Sequence, residues 1–134
     1  MWFGILLYRR HGGGLQICFE KDRRGKLELP KGGEEHFDKS PFATARREMH
    51  EEAGIWVGYR KVGEYFWSDL EGRTANHGSA FLVTEMQPGD IVYASDTRLW
   101  RRISELEGVR EDHRRLVERL FLHRTRLQFE ADRI

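Results

Sequence analysis

The chain has little cysteine, little proline and no long apolar run. Its one cysteine, Cys18, excludes an internal disulfide and suits a reducing compartment, which makes a cytoplasmic location the expectation. Cys18 lies in an apolar stretch and reads as a buried structural thiol, not a nucleophile. No run of about eighteen apolar residues occurs, so no membrane span and no membrane partner are expected. The opening MWFGILLYRR is apolar but lacks the basic n-region and small-residue cleavage site of a signal peptide, and reads as a first strand. A formal net charge of +1 excludes a chain-wide electrostatic trap for nucleic acid. The 134 residues suffice for one domain, residues 1–134, with a modest core.

What is present is a set of short strand patterns around two helical ones. Trp2–Tyr8 and Leu15–Phe19 read as strands joined by a glycine-rich hairpin at Gly12–Gly14. Leu27–Leu29 reads as a short strand entering a Pro30-Lys31-Gly32 turn. Trp56–Trp67 mixes β-branched and aromatic residues and predicts one or two strands. Gly72–Gly78 and Pro88-Gly89-Asp90 are turns, with strands expected at Ser79–Met86 and Leu99–Ile103. Glu111 to about Arg124 carries Leu116, Val117, Leu120 and Phe121 at helical spacing. The arginines between Arg98 and Arg133 read as the solvated face of that last helix.

The most informative stretch runs from Gly32 to Ile55. Ser40-Pro41 is a helix start, since Ser caps first-turn amides and Pro is tolerated at the first helical position. Gly54 is a helix stop. Phe42, Ala45, Met49 and Ala53 share one stripe, which predicts the core-facing side. Glu48, Glu51 and Glu52 are read as converging on roughly the opposite side. Like charges so close repel, and a divalent cation with a preference for carboxylate oxygen would reverse that repulsion.

The run Arg47-Glu48-Met49-His50-Glu51-Glu52-Ala53-Gly54-Ile55, with the Pro30–Gly33 turn ahead of it, resembles the signature of the Nudix hydrolases. The family spacing, counted back from Arg47, puts Lys39 where a glutamate is usual and Gly33 where the glycine is usual. Asp38, Glu34 and Glu35 are the acidic residues nearby. The resemblance implies an α/β/α sandwich, with a mixed sheet between the mid-chain helix and a C-terminal helix. It implies magnesium, or manganese in its place, and hydrolysis of a phosphoanhydride in a nucleoside diphosphate-linked substrate. By the same resemblance Glu51 and Glu52 are metal ligands, and Glu48 is a ligand or the general base. Arg47 holds a glutamate in place, the Gly32 carbonyl is a further ligand, and Lys31 meets phosphate. Glu85, on a strand, is a further metal candidate. Arg9 and His77 are candidate phosphate contacts, and Tyr65 and Trp67, either side of Phe66, are candidates for stacking on a base.

The Leu29–Gly33 turn is similar to that of diadenosine tetraphosphate hydrolases and diphosphoinositol polyphosphate phosphohydrolases. Leu70 stands where ADP-ribose hydrolases typically carry proline. A tyrosine found in some dinucleoside polyphosphate hydrolases is absent around Glu71–Arg73. A dinucleoside polyphosphate such as diadenosine tetraphosphate is therefore the expected substrate. An RNA 5′ end or an inositol pyrophosphate is the alternative. Lys39 keeps open a turnover-deficient module that binds nucleotide or RNA.

Overall fold

The computed structural model describes residues 1–61, 63–70 and 78–123. Strands β1 (Trp2–His11) and β2 (Gly14–Lys21) form an antiparallel hairpin turned through Gly12 and Gly13, both at positive φ. β3 (Leu27–Glu28) pairs with the end of β2, and β4 (Lys31–Gly33) pairs with the start of β1. Helix α1 (Pro41–Ala53) follows. β5 (Ile55–Trp56) and β8 (Ile91–Val92) make a separate two-stranded ribbon. β6 (Tyr65–Asp69) runs antiparallel to β7 (Ser79–Glu85), and β7 runs parallel to β1. β9 (Arg98–Arg102) pairs with β2. Helix α2 (Glu111–Glu118) continues into a π-helical turn, Arg119–His123.

The sheet is mixed and has α1 on one face and α2 on the other, as the sandwich expectation required. Alternation along β1 shows why. Ile5 and Leu7 pack with Ala45 and Met49 of α1, whereas Leu6 and Tyr8 pack with Leu116 and Val117 of α2. A strand buried on both faces reads as a continuous apolar run, which is what Ile5–Tyr8 is. Cys18 is fully buried on the α1 side, and burial pushes its thiol up to about 12, so it is inert.

Several elements differ from the sequence reading. Lys31–Gly33 is strand, not turn, because β1 offers a backbone edge that local sequence does not reveal. Leu29 and Pro30 interrupt the run; Pro30 has no N–H, and its carbonyl still accepts from Ile5 at 3.2 Å. Trp56–Trp67 resolves into β5 and β6. β8 was not anticipated, since two exposed residues carry almost no periodic signal. The last helix leaves α geometry at Arg119. Residues 71–77 and 124–134, with the Gly72–Gly78 turn all but its last residue, lie outside the described residues.

Candidate active site

Helix α1 is fixed at both ends. Ser40 Oγ accepts from the Ala43 amide at 3.1 Å, and Pro41 occupies the first turn. Gly54 takes the left-handed conformation at φ 70°. The last carbonyls of the helix are met from the approach to β9. Thr97 Oγ1 donates to Glu52 O at 2.8 Å, and Arg98 donates to Ala53 O at 2.9 Å.

The helix does not present its three glutamates as one patch. Ala45, Met49 and Ala53 define the buried stripe. At 100° per residue Glu48 and Glu52 lie about 60–100° from that stripe, while Glu51 lies nearly opposite. Glu48 is accordingly buried at the sheet, Glu52 is half-buried, and the Glu51 side chain is 54% exposed. Among the described residues Glu51 meets Arg47 alone, at 3.3 Å.

Arg47 organises the loop ahead of the helix. Its Nε and Nη2 donate to the two oxygens of Asp38 at 3.1 and 2.8 Å, and Nη2 also donates to Gly33 O at 2.9 Å. Nη1 reaches Glu48 at 3.0 Å. Asp38 accepts further from Thr44 Oγ1 and the Glu35 amide. The hydrogen bonds from Arg47 hold the Asp38 carboxyl well below its usual range, and Asp38 in turn raises the Arg47 guanidinium. Lys39 is exposed. Asp38 thus supplies the loop carboxylate in place of the residue one position on.

Glu48 lies against the backbone of β4. A Cβ built on Gly32 would collide with the Glu48 carboxyl group, so this close approach needs glycine. One turn on, Glu52 accepts from the Lys31 amide at 3.3 Å. Beside it stand two carboxylates that the sequence reading missed, Glu20 at the end of β2 and Glu28 in β3, paired across the ladder. One oxygen from each of Glu20, Glu28 and Glu52 lies within 4.8 Å of the others. The signal for them was present: each follows or interrupts an apolar run, in Ile17-Cys18-Phe19-Glu20 and Leu27-Glu28-Leu29.

Three carboxylates so close share protons. Burial first, then the hydrogen bonds to Glu28 and Glu52, pushes Glu20 up to about 10. Burial and the Glu48 carboxyl bring Glu52 up to about 7 against the opposing Glu20 hydrogen bond. Burial works to raise Glu28, but hydrogen bonds from Glu20 and Lys31 leave it net lowered. Lys31 Nζ lies 3.3 Å and Arg110 Nε 3.0 Å from the same oxygen, Glu28 Oε2. The donor set fits a hard divalent cation: it is all oxygen, partly buried, and held together by protons that a cation would replace.

The other candidate residues divide. Tyr65 and Trp67 face the α1 side on the outer strand β6. Tyr65 stacks on Phe42 at 6.3 Å, and Trp67 meets Phe3 edge-on at 5.8 Å while 38% exposed. Glu85 is not brought to the glutamates. Alternation along β7 puts it on the face of Phe81 and Val83, the α2 side, opposite Tyr8, and it ion-pairs with Arg10 at 3.6 Å. Strand period alone decides this, and the Ser79–Met86 pattern, apolar on both faces, hid it. Arg9 is also displaced. It bonds Gln16 at 2.9 Å and lies 4.0 Å over the Trp100 ring, about 13 Å along β2 from the Glu20 rung. His77 lies outside the described residues.

The family model for the NUDIX domain matches residues 3–120. No curated protein sequence matches the chain significantly. Among solved structures, the NUDIX domain of NrtR from Shewanella oneidensis, complexed with ADP ribose, is similar at a TM-score of 0.64 and 17% identity, over 87% of this chain and 82% of that one. A C. elegans Ap4A hydrolase in a binary complex is similar at 0.60 and 16%, over 89% and 94%. A MutT protein from Bacillus halodurans is similar at 0.58 and 16%, over 87% and 78%. With the signature helix, the mixed sheet and a family model spanning nearly its whole length, the chain belongs to the Nudix family of pyrophosphohydrolases.

Proposed function

We propose that this protein hydrolyses a phosphoanhydride in a nucleoside diphosphate-linked substrate, a dinucleoside polyphosphate of the diadenosine tetraphosphate kind, with magnesium or, in its place, manganese. The observation that most supports this is the reach of Glu52 from the signature helix to Glu20 and Glu28 beside the Lys31 amide. Glu20, Glu28 and Glu52 are the residues to hold the cation, with Glu48 and the Gly32 carbonyl beside them. When bound, the ion neutralises phosphate charge and favours in-line attack by water.

The chain's own groups do the rest. Glu48, pinned on Gly32 and touched by Arg47, is a ligand or takes the proton of the attacking water. Arg47 keeps the Gly33 carbonyl, Asp38 and Glu48 in register, and is a positioning residue. Glu51, outward and paired with Arg47, enters the site only by turning inward. Lys31 offers a compact positive charge next to the glutamates. Tyr65 and Trp67 give a base an aromatic surface on the α1 side of the sheet. The Ap4A hydrolase of C. elegans, whose fold this chain is similar to, is in keeping with this choice of substrate. A nucleotide- or RNA-binding module without turnover is disfavoured, because Asp38 takes up Arg47 where Lys39 does not. A cytoplasmic location goes with the same reading.

The test is product release from diadenosine polyphosphates, ADP-ribose, nucleoside triphosphates, inositol pyrophosphate and triphosphorylated RNA, each with and without magnesium. Magnesium-dependent release from the diadenosine series is expected. Turnover confined to another class would replace the substrate. Binding without any release would replace the enzyme with a binding module.

A further inference from the structure

Glu28 meets two cations on a single oxygen. Lys31 Nζ lies 3.3 Å and Arg110 Nε 3.0 Å from Glu28 Oε2. An ionised carboxylate offers about four lone-pair sites, two on each oxygen. Two cations on Oε2 use that oxygen fully and leave Oε1 for anything else that approaches.

The two cations are not held alike. Lys31 reaches Glu28 from β4 across Leu29 and Pro30, and the Trp2 ring is its other neighbour, 5.3 Å from Nζ. Arg110, at the head of α2 and outside the signature stretch, is anchored from behind. Its Nη2 donates to Asp22 Oδ2 at 3.2 Å, and Asp22 Oδ1 accepts from the amides of Arg24 and Lys26 at 2.8 and 2.9 Å. Its backbone is fastened beside β3. The Arg110 amide donates to Leu27 O and the Leu27 amide to Gly108 O, each at 2.9 Å. Lys31 is also the cation that the reading above gives to phosphate, and a turn toward phosphate would leave Arg110 alone on Oε2.

We infer that Arg110 is a positioning residue that selects the ion: by occupying Glu28 Oε2 it makes Glu28 a one-oxygen ligand. Arg110 has this role only if the glutamates hold a divalent cation, as proposed above. Magnesium demands near-octahedral geometry, which the narrow bite of a two-oxygen carboxylate does not fit, whereas calcium accepts carboxylates through one oxygen or both. With Arg110 in place the cluster therefore favours magnesium over calcium.

The experiment titrates manganese(II) into the metal-free full chain, reads the free ion by electron paramagnetic resonance, and displaces it with magnesium or with calcium. The result is a magnesium-to-calcium affinity ratio in which turnover plays no part. Loss of the Arg110 charge strengthens both divalent ions alike, so charge alone leaves the ratio unmoved. Arg110→Ala is expected to shift the ratio toward calcium by at least about fivefold. Arg110→Lys, which keeps a cation able to reach Oε2, should return most of that shift. Asp22→Asn should shift it less, and should add nothing in the Arg110→Ala background. The Arg110 side chain is nearly half exposed, so the variants are expected to fold, and thermal unfolding in EDTA checks this. An unchanged ratio in Arg110→Ala, with manganese binding weakened in Glu52→Gln, overturns the role of Arg110 and leaves the cation site standing. Manganese binding as strong in Glu52→Gln as in wild type overturns both.

Discussion

Arg47 grips Asp38 through two parallel hydrogen bonds, Nε to Oδ1 at 3.1 Å and Nη2 to Oδ2 at 2.8 Å, with the Asp38 side chain only 4% exposed. This pair fixes the loop before the signature helix. Asp38→Ala should therefore destabilise the fold by about 2–3 kcal/mol, read by denaturant unfolding. Lys39→Glu, on an exposed side chain, should stay within about 0.5 kcal/mol of wild type. Because Asp38 titrates below its unfolded value, its contribution is present above the unfolded value and is lost as pH falls through the folded one. Equal effects of the two substitutions would show that Arg47 is held by other partners.

Gly32 and Gly33 should differ sharply although they are neighbours. A Cβ at Gly32 meets the Glu48 carboxyl group, whereas at Gly33 the nearest atoms are those of the Trp2 ring at 3.5 Å. Gly32→Ala should lower turnover by about 100-fold, as expected when a reacting or metal-binding group is misplaced. Gly33→Ala should be nearly silent. Comparable activity in both variants, measured on the same substrate, would mean that Glu48 has room to move aside.

The glutamate cluster predicts an unusual pH dependence for the metal-free protein. Glu52 near 7 and Glu20 near 10 both titrate above the ordinary 4.5 of an unfolded glutamate. The folded state then holds more protons, so stability is greatest below about pH 4.5 for these groups and declines as pH rises through 7 toward 10. Magnesium should flatten the decline, and its apparent affinity should rise with pH across about 7. Glu52→Gln should keep the fold and lose about 100-fold or more in turnover. Thermal unfolding against pH in EDTA and in magnesium checks the first part. A decline that persists in saturating magnesium would place the cation elsewhere.

His113 makes a prediction of opposite sign. It is 2% exposed on α2, and its Nδ1 accepts from the Leu29 amide at 2.9 Å. Burial first, with Lys31 nearby, brings it down to about 4. Its contribution is thus complete above about pH 6.5 and is lost as pH falls toward 4. His113→Leu leaves a buried amide without an acceptor and should cost about 1–3 kcal/mol. His113→Asn, whose Oδ1 can take the place of Nδ1, should recover part of it. No difference between the two in denaturant unfolding would show that the Leu29 amide finds another partner.

The signature helix was legible because every signal in it is local: Ser40, Pro41, the Ala45–Met49–Ala53 stripe and Gly54 act within a few residues. The sandwich followed from the order of elements. What sequence did not yield depends on partners distant along the chain. Glu20 and Glu28 meet Glu52 only because β2, β3 and α1 converge, and each alone looks like a stray charge in a strand. Glu85 misled for the complementary reason, since its neighbours gave no indication of which face it would take. The outward turn of Glu51 follows from the 100° helical period, which sets it nearly opposite the buried stripe.

Thr97 and Arg98 close the last turn of α1 from a segment 45 residues downstream. The signature is therefore not a self-sufficient cassette. A peptide or graft carrying residues 30–55 would bring the glutamates but leave the carbonyls of Glu52 and Ala53 to water, and its final turn would fray. In the ribosome's order of synthesis, the last carbonyls of the helix gain their partners only once Thr97 and Arg98 have emerged.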